Sequence, residues 1–264
     1  MQKTILITGA TDGIGLEAAK LLAAAGHHVL LHGRNPAKLA TAVEAVQGGE
    51  GRVEQYVADL SRMSEVESLA DVVANEHDSL DVLINNAGVF RTGSPITEDG
   101  LDVRFVVNTI APFLLTRRLL PLLGASSRVV NLSSAAQAPV NRRALAGEGQ
   151  LSDNAAYAQS KLALTMWSRT LALSLGTDGP SVVAVNPGSM LGTKMVKEAY
   201  GVAGGDVGIG ADILDRAALS DEFASASGKY FDNDAGRFAP PHPDALDADK
   251  SADLVRAIES ILAK

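Results

Sequence analysis

Along this chain, short apolar runs alternate with longer amphipathic stretches almost from end to end. Thr4 to Thr8 is a brief apolar β run. A glycine-rich turn follows, then a helical stretch from Leu16 to Ala25, with Gly26 in the position of a helix C-cap. Val29 to Leu31 reads as the second strand. Asn35-Pro36 starts the next helix, because proline is tolerated in a first helical turn. Val53 to Val57, Val82 to Ile84, Val129 to Leu132 and Val182 to Val185 supply further strands. The spacing predicts helices over Met63 to Glu76, about Asp99 to Leu123, and Asp153 to Leu175. Gly228 to Phe231 looks like a last strand, and Asp244 to Leu262 like a closing helix after Pro240-Pro241.

Strands that alternate with helices of this length imply crossover connections and a parallel sheet. Continuously apolar strands imply that both sheet faces are covered. No repeat or linker divides the chain, so the expectation is one α/β domain over residues 1–264. Its core would be a doubly wound, parallel Rossmann-type sheet of about seven strands. Two segments break the rhythm. Ala135 to Ser152 is a polar insertion with Asn141-Arg142-Arg143 and Gly147-Glu148-Gly149, a length usually functional or mobile. Gly192 to Gly210 is rich in glycine and is a candidate substrate lid within about 190–225.

Composition narrows the function. Hydrophobic residues make up 46% of the 264 and charged residues 20%, the balance of a soluble globular domain. A net charge of −8 argues against nucleic acid or an anionic membrane as a partner, and any phosphate-bearing ligand needs a local positive site. With no cysteine, disulfides, thiolate catalysis and Cys-ligated zinc are excluded, and no metal-ligating set stands out. The start, Met1-Gln2-Lys3, does not read as a signal peptide, and no uncharged apolar run approaches the ~18 residues of a membrane span. A cytoplasmic location is the default expectation.

Thr8-Gly9-Ala10-Thr11-Asp12-Gly13-Ile14-Gly15 joins the first strand to the first helix. Glycines there allow positive φ and close approach of backbone to a pyrophosphate, and the helix N-terminus supplies free amides. The spacing G-x-x-x-G-x-G differs from the commoner dinucleotide fingerprint, but the strand–turn–helix setting is the right one. NAD enzymes usually place an acid ~20 residues beyond the glycines, to bond the ribose hydroxyls. Here Gly33 stands at that point, followed by Arg34-Asn35, and a guanidinium can grip a 2′-phosphate. NADP (NADPH) is therefore preferred over NAD, with Asp12 a mild contrary sign.

Tyr157 and Lys161 stand four apart near the start of a long helix, so their side chains share one face. A nearby ammonium favours phenolate and lowers a tyrosine pKa toward useful acid–base chemistry. With these residues in view, the chain resembles the short-chain dehydrogenase/reductase family over roughly residues 4 to 193. The motifs occur in the family's order: Thr8-Gly9-x-x-x-Gly13-Ile14-Gly15, Asp59-Leu60, Asn85-Asn86-Ala87-Gly88, Asn108, Asn131-Leu132-Ser133-Ser134, Tyr157-x-x-x-Lys161 and Asn186-Pro187-Gly188.

The resemblance implies an NADP-dependent oxidoreductase that interconverts a carbonyl and an alcohol. Tyr157 would be the acid and base, Lys161 would hold the nicotinamide ribose, and Ser134 would bond the substrate oxygen. Ser134 is chosen over its neighbour Ser133 because it stands three residues after Asn131. Asn108 would hold a water linking Lys161 to solvent. Asp59 and Leu60 would meet adenine, Asn86-Ala87-Gly88 the adenosine ribose, and Pro187-Gly188 the nicotinamide. Thr193 is the candidate for the carboxamide, at a slightly long spacing. The long Ser134-to-Tyr157 interval is similar to that of retinol-dehydrogenase-like and protochlorophyllide-reductase-like members, which suggests an apolar substrate. The resemblance further implies a homodimer or homotetramer paired through the two long helices, where Leu114, Leu115, Leu162 and Met166 suit core or interface equally. A dehydratase or epimerase on the same scaffold, or a non-catalytic NADP-sensing regulator, are the alternatives.

Overall fold

A computed structural model describes all residues, Met1–Lys264. The sheet has eight strands in the order β3-β2-β1-β4-β5-β6-β7-β8. They are β1 Thr4–Ile7, β2 His28–Gly33, β3 Val53–Val57, β4 Val82–Asn85, β5 Arg128–Leu132, β6 Ser181–Asn186, β7 Tyr230–Asp232 and β8 Arg237–Ala239. All neighbours are parallel except β7 and β8, which form an antiparallel edge. The eighth strand was not expected, since three residues carry no usable periodicity. Phe238 earns its place by packing within 5.2 Å of Phe223 and Phe231.

Each central strand divides its side chains between two apolar layers. Ile5, Ile7, Val29 and Leu31 face one layer with helices α1 (Gly13–Ala24), α2 (Pro36–Val46) and α9 (Gly208–Leu219). Leu6, Leu30, Leu83 and Val129 face the other, covered by α3 (Met63–Glu76) and α5 (Ala111–Leu119). This two-sided burial is why the strands read as unbroken apolar runs. The chain crosses from one side to the other between β1 and β4, so their C-terminal ends diverge and leave a crevice.

The helix expected over Asp99 to Leu123 is assembled from pieces. It begins at α4 (Val103–Phe105), widens into a π segment over Val106–Ile110, continues as α5 and ends in a 3₁₀ turn over Leu120–Leu122. Asp99 to Asp102 lie outside it, because Asp102 pairs with Ile96 in an isolated bridge and caps α4. Val103–Leu122 has the length and hydropathy of a membrane span, but two thirds of it is buried in this fold.

The 135–152 segment is also more ordered than its composition suggested. It carries α6 (Arg142–Leu145), capped by Asn141, and buries Ala144 and Leu145. Asn141 N–H donates to Gln159 Oε1 at 2.9 Å, which ties the insertion to α7 (Asp153–Leu175). The closing helix divides into α10 (Pro243–Leu246) and α11 (Ala248–Leu262), and α11 lies along α7. Leu115, Leu162 and Met166 are consequently core residues of this chain.

One buried ion pair fixes the start of α7. Arg104 is 2% exposed and donates from Nε and Nη2 to Asp102 at 2.7 and 2.6 Å, and from Nη1 to Asp153. Removing one partner of such a pair strands a buried charge and costs about 3–5 kcal/mol. Arg104→Leu is therefore expected to lower unfolding stability by about 3 kcal/mol in urea melts. A loss below about 1 kcal/mol, the value of a surface pair, would contradict that account.

Candidate active site

The C-terminal ends of β1, β2, β4, β5 and β6 open into one cleft of about 490 Å³, a ligand-sized volume. At its floor, Gly9 has φ +67°, and a Cβ there would lie 2.8 Å from Ala87 Cα. A Cβ on Gly15 would come within 2.3 Å of Asn86 Nδ2. Asn86 is turned into the loop, donating from Nδ2 to Thr8 O (2.8 Å) and Gly9 O (3.0 Å). Thr8 Oγ1 accepts in return from the N–H groups of Asn86 and Ala87. The loop is thus closed against β4 by backbone contacts that only glycine permits. Asp12 caps α1, accepting from Gly13 N–H at 2.7 Å, which accounts for an acid within the glycine loop. Ile14 lines the cleft just beyond it.

His32 is a functional position the sequence did not signal. Its Nδ1 accepts from Gly9 N–H (3.2 Å), and Nε2 bonds Ala58 O (3.0 Å), a pairing that fits the neutral ring protonated at Nε2. Burial pushes this imidazole down to about 4, so it stays neutral and braces the loop at ordinary pH.

The cation end of the cleft lies where β2 runs out. A Cβ on Gly33 would lie 2.4 Å from Thr11 Cγ2, so the position expected to carry an acid in NAD enzymes has no room beside this threonine as it stands. Arg34 is exposed there, and Lys38, from the first turn of α2, lines the same wall. The sequence reading missed Lys38, whose helical register brings it beside Arg34. Asn35 lies on this rim and caps α2, accepting from Lys38 N–H at 3.0 Å. Asp59 and Leu60 follow on the β3 side. Burial favours the neutral Asp59 carboxyl, but bonds from Ser61 and the charges of Arg34 and Arg62 outweigh it, leaving the group below its usual range.

Across the cleft, α7 presents Tyr157 and Lys161 on one face. Lys161 is buried, with Nζ donating to Leu132 O at 2.7 Å and 5.7 Å from the Tyr157 ring centroid. Burial pushes its ammonium down to about 8. The Tyr157 phenol stands above its ordinary value, because burial outweighs the pull of the Ser134 hydroxyl. Lys161 thus meets the ring and not the hydroxyl, and the lowering expected from it is not present in the protein alone.

The choice between adjacent serines is resolved by direction. Ser133 points into α7, bonding Thr165 Oγ1 (2.7 Å) and Lys161 O (3.2 Å). Ser134 faces Tyr157, and its carbonyl is held by Tyr230 OH (3.2 Å) and Gln137 Nε2 (2.9 Å). Asn108 sits in the π segment, where the extra residue in the turn swings its side chain toward β4. Its Nδ2 donates to Val89 O and Ser160 Oγ, both at 2.9 Å, and Oδ1 accepts from Val89 N–H at 2.8 Å. It is a strut, with its side chain committed to protein. A Cβ on Gly88 would lie 3.6 Å from both Asn108 Oδ1 and Lys161 Nζ, which places the two together at the cleft.

The roof comes from the segment expected as a lid. It contains α8 (Lys194–Tyr200), and an isolated bridge between Leu191 and Gly205 ties its two ends. Thr193 caps α8 and lies over the glycine loop, its Cγ2 3.5 Å from where a Gly13 Cβ would be, so the long spacing still brings it to the cleft. Pro187 lines the wall beside it, and Gly188, at φ +120°, makes the turn behind. Phe90 and Tyr200 form an aromatic wall, with Phe90 4.8 Å from the Tyr157 ring and 6.0 Å from that of Tyr200.

The profile of the short chain dehydrogenase family matches residues 3–202, the stretch that builds this cleft. The chain belongs to the short-chain dehydrogenase family. It is 34% identical to retinol dehydrogenase 13 of Mus musculus, over 93% of this chain and 79% of that one. A solved structure of an uncharacterized protein from Mycobacterium paratuberculosis superposes with a TM-score of 0.81 at 29% identity, covering 98% of this chain and 93% of that one. A Burkholderia cenocepacia short chain dehydrogenase solved in complex with NADP superposes at 0.72 with 27% identity, covering 89% and 97%. For this short-chain dehydrogenase the orientation of the two serines gives a direct test. Ser134→Ala is expected to lower kcat by about 10²-fold or more, as for loss of an oxyanion donor. Ser133→Ala should leave kcat within a few-fold, and the reverse ranking would exchange their roles.

Proposed function

We propose that the protein is an NADP(H)-dependent oxidoreductase that interconverts a carbonyl and an alcohol on an apolar organic substrate. The observation that carries this reading is that Tyr157, bonded by the Ser134 hydroxyl, and Lys161 line one cleft whose far end holds Arg34 and Lys38. The residues fit a dinucleotide. The Gly9, Gly13 and Gly15 cradle and the free first-turn amides of α1 suit a pyrophosphate. Arg34 and Lys38 suit a 2′-phosphate that an acid at position 33 would repel. Asp59 and Leu60 border the adenine end, Asn86-Ala87-Gly88 the ribose, and Pro187, Gly188 and Thr193 the nicotinamide end.

When bound, the nicotinamide supplies or accepts the hydride. Tyr157, whose buried phenol is protonated at neutral pH, gives its proton to the carbonyl oxygen in reduction. Ser134 donates a hydrogen bond to the same oxygen as charge develops on it. Lys161 lies one helical turn beyond Tyr157 and can hold ribose hydroxyls with an ammonium that Leu132 O orients. Phe90, 4.8 Å from the Tyr157 ring, gives the cleft an apolar wall beside the acid–base pair, which agrees with the retinol dehydrogenase relative.

Side-by-side titration of NADPH and NADH tests the cofactor assignment. NADPH should bind more tightly, and Arg34→Ala should weaken it by about tenfold or more while NADH changes little, as for loss of a charge-assisted phosphate contact. Equal losses for both would remove the 2′-phosphate contact. Tyr157→Phe should abolish turnover with nucleotide affinity nearly intact, and full activity would overturn the mechanism. The Lys161 ammonium is lost as pH rises through about 8. Accordingly, kcat/KM for reduction should be level near neutrality and fall about tenfold per pH unit on the alkaline side. A profile that stays flat well above pH 8 would take Lys161 out of the acid–base machinery.

A further inference from the structure

The residues just after β4 carry a charge that the proposed reaction leaves unassigned. The run Val89-Phe90-Arg91 leaves the floor of the cleft immediately beyond Asn86-Ala87-Gly88. Asn108 fixes Val89 through both its N–H and its carbonyl, and Phe90 is buried with its ring 4.8 Å from that of Tyr157. The backbone that leads to Arg91 is therefore held in place, although the arginine side chain is exposed. Its guanidinium stands over the Phe90 ring, 5.8 Å from the centroid, and Arg91 lines the cleft. Two short steps, 4.8 and 5.8 Å, thus link the Tyr157 ring to this cation through Phe90.

Arg91 holds no anion of its own. Apart from Arg34 and Arg237, every other arginine in this acidic chain grips a carboxylate or a backbone carbonyl. Arg237 is on edge strand β8 and does not line the cleft. Arg34 and Arg91 do line it, but at different ends, because β2 and β4 flank β1 on opposite sides. Arg34 meets the end given to the 2′-phosphate, whereas Arg91 stands beside the acid–base pair. Stacking on Phe90 uses the face of the guanidinium and leaves its in-plane N–H donors free. Those donors form a fork that matches the two oxygens of a carboxylate. The lid acid that lines the cleft, Glu198, lies 3.4 Å from Lys194 Nζ, which offsets its charge, and it makes no ion pair with Arg91.

We infer that, in the carbonyl–alcohol reaction proposed above and resting on that reading, the substrate pairs an apolar body with a carboxylate, which Arg91 binds at the mouth of the cleft. The carbonyl end meets Tyr157 and Ser134, the body packs against Phe90, and the carboxylate takes the guanidinium fork. A protein of net charge −8 repels such a molecule at long range, so the preference has to come from a local cation. Arg91 touches no reacting atom; it sets specificity.

With NADPH saturating, kcat/KM is compared for 4-carboxybenzaldehyde and for 3-(4-formylphenyl)propanoate, each against its methyl ester. Each acid should exceed its ester by about fivefold or more, mainly through a lower KM, as for one charge-assisted contact. Arg91→Gln should bring the acid-to-ester ratio close to one. Arg91→Lys should restore only part of it, because an ammonium lacks the fork. Added salt should shrink the wild-type ratio as well, since the contact is at the surface. Equal kcat/KM for acid and ester in the wild type, or a ratio that Arg91→Gln leaves unchanged, would overturn the role of Arg91 and leave the carbonyl–alcohol reading in place. Failure to bind NADPH, or to reduce any of the four aldehydes, would overturn that reading and this assignment with it.

Discussion

The close approach of the β1–α1 loop to the end of β4 is the constraint on which the rest of the site depends. Gly9 lies so near Ala87 that no side chain fits between them, and Asn86 fills the remaining space with bonds to Thr8 O and Gly9 O. From below, neutral His32 accepts from Gly9 N–H while bonding Ala58 O, so the loop is held from β4, β2 and the end of β3 together. Fixing backbone from three strands aims the first turn of α1 into the crevice, where free amides and the helix dipole favour an anion. The anion site is thus a property of the sheet's switch in winding direction more than of any one side chain.

The acid–base half of the cleft is built with equal rigidity, but from helices. Arg104 pins the start of α7 through Asp102 and Asp153, and α11 covers the helix along its length. The π segment lets Asn108 reach Val89 and Ser160 at once, joining the β4 loop to α7 one residue before Lys161. Ser133 closes the same joint from β5 by bonding Lys161 O. Tyr157 and Lys161 therefore sit on a platform braced against β4 and β5. Their separation from Ser134 is set by that bracing, and the 135–152 insertion contributes its own anchor through Asn141 and Gln159.

Most of this architecture could be read from the chain because local chemistry and global fold agree. Asn35-Pro36 starts α2 and Gly26 ends the α1 turn as their conformational preferences dictate, and the apolar runs became strands buried on both faces. The glycine loop, Tyr157 with Lys161, and Arg34 were legible because their signals are short-range: a turn, a helical spacing of four, a missing acid. What could not be read was decided by packing. The break of the Asp99–Leu123 stretch into α, π and 3₁₀ turns depends on Asn108 finding Val89 and Ser160. The order of the 135–152 segment depends on Ala144 and Leu145 meeting α7. Lys38, His32 and Tyr230 act through register or tertiary contact, for which no pattern in one segment is evidence.

Charge shows how one acidic protein could hold the proposed anionic dinucleotide and still run proton chemistry. With a net charge of −8, a diffuse field could not attract phosphate, so attraction must be local. The fold supplies it at the far end of the cleft, where Arg34 and Lys38 stand exposed beside Asp59, whose carboxyl is held below its usual range by Ser61, Arg34 and Arg62. At the near end, burial lowers the Lys161 ammonium and raises the Tyr157 phenol, because a buried site disfavours the charged form of each. The same cleft can do both because its two ends differ in access to solvent. Gly33 ties the two sides of the proposed phosphate end together: with Thr11 as placed, a side chain at the acid position would collide with it, so the glycine loop itself disfavours an acid there.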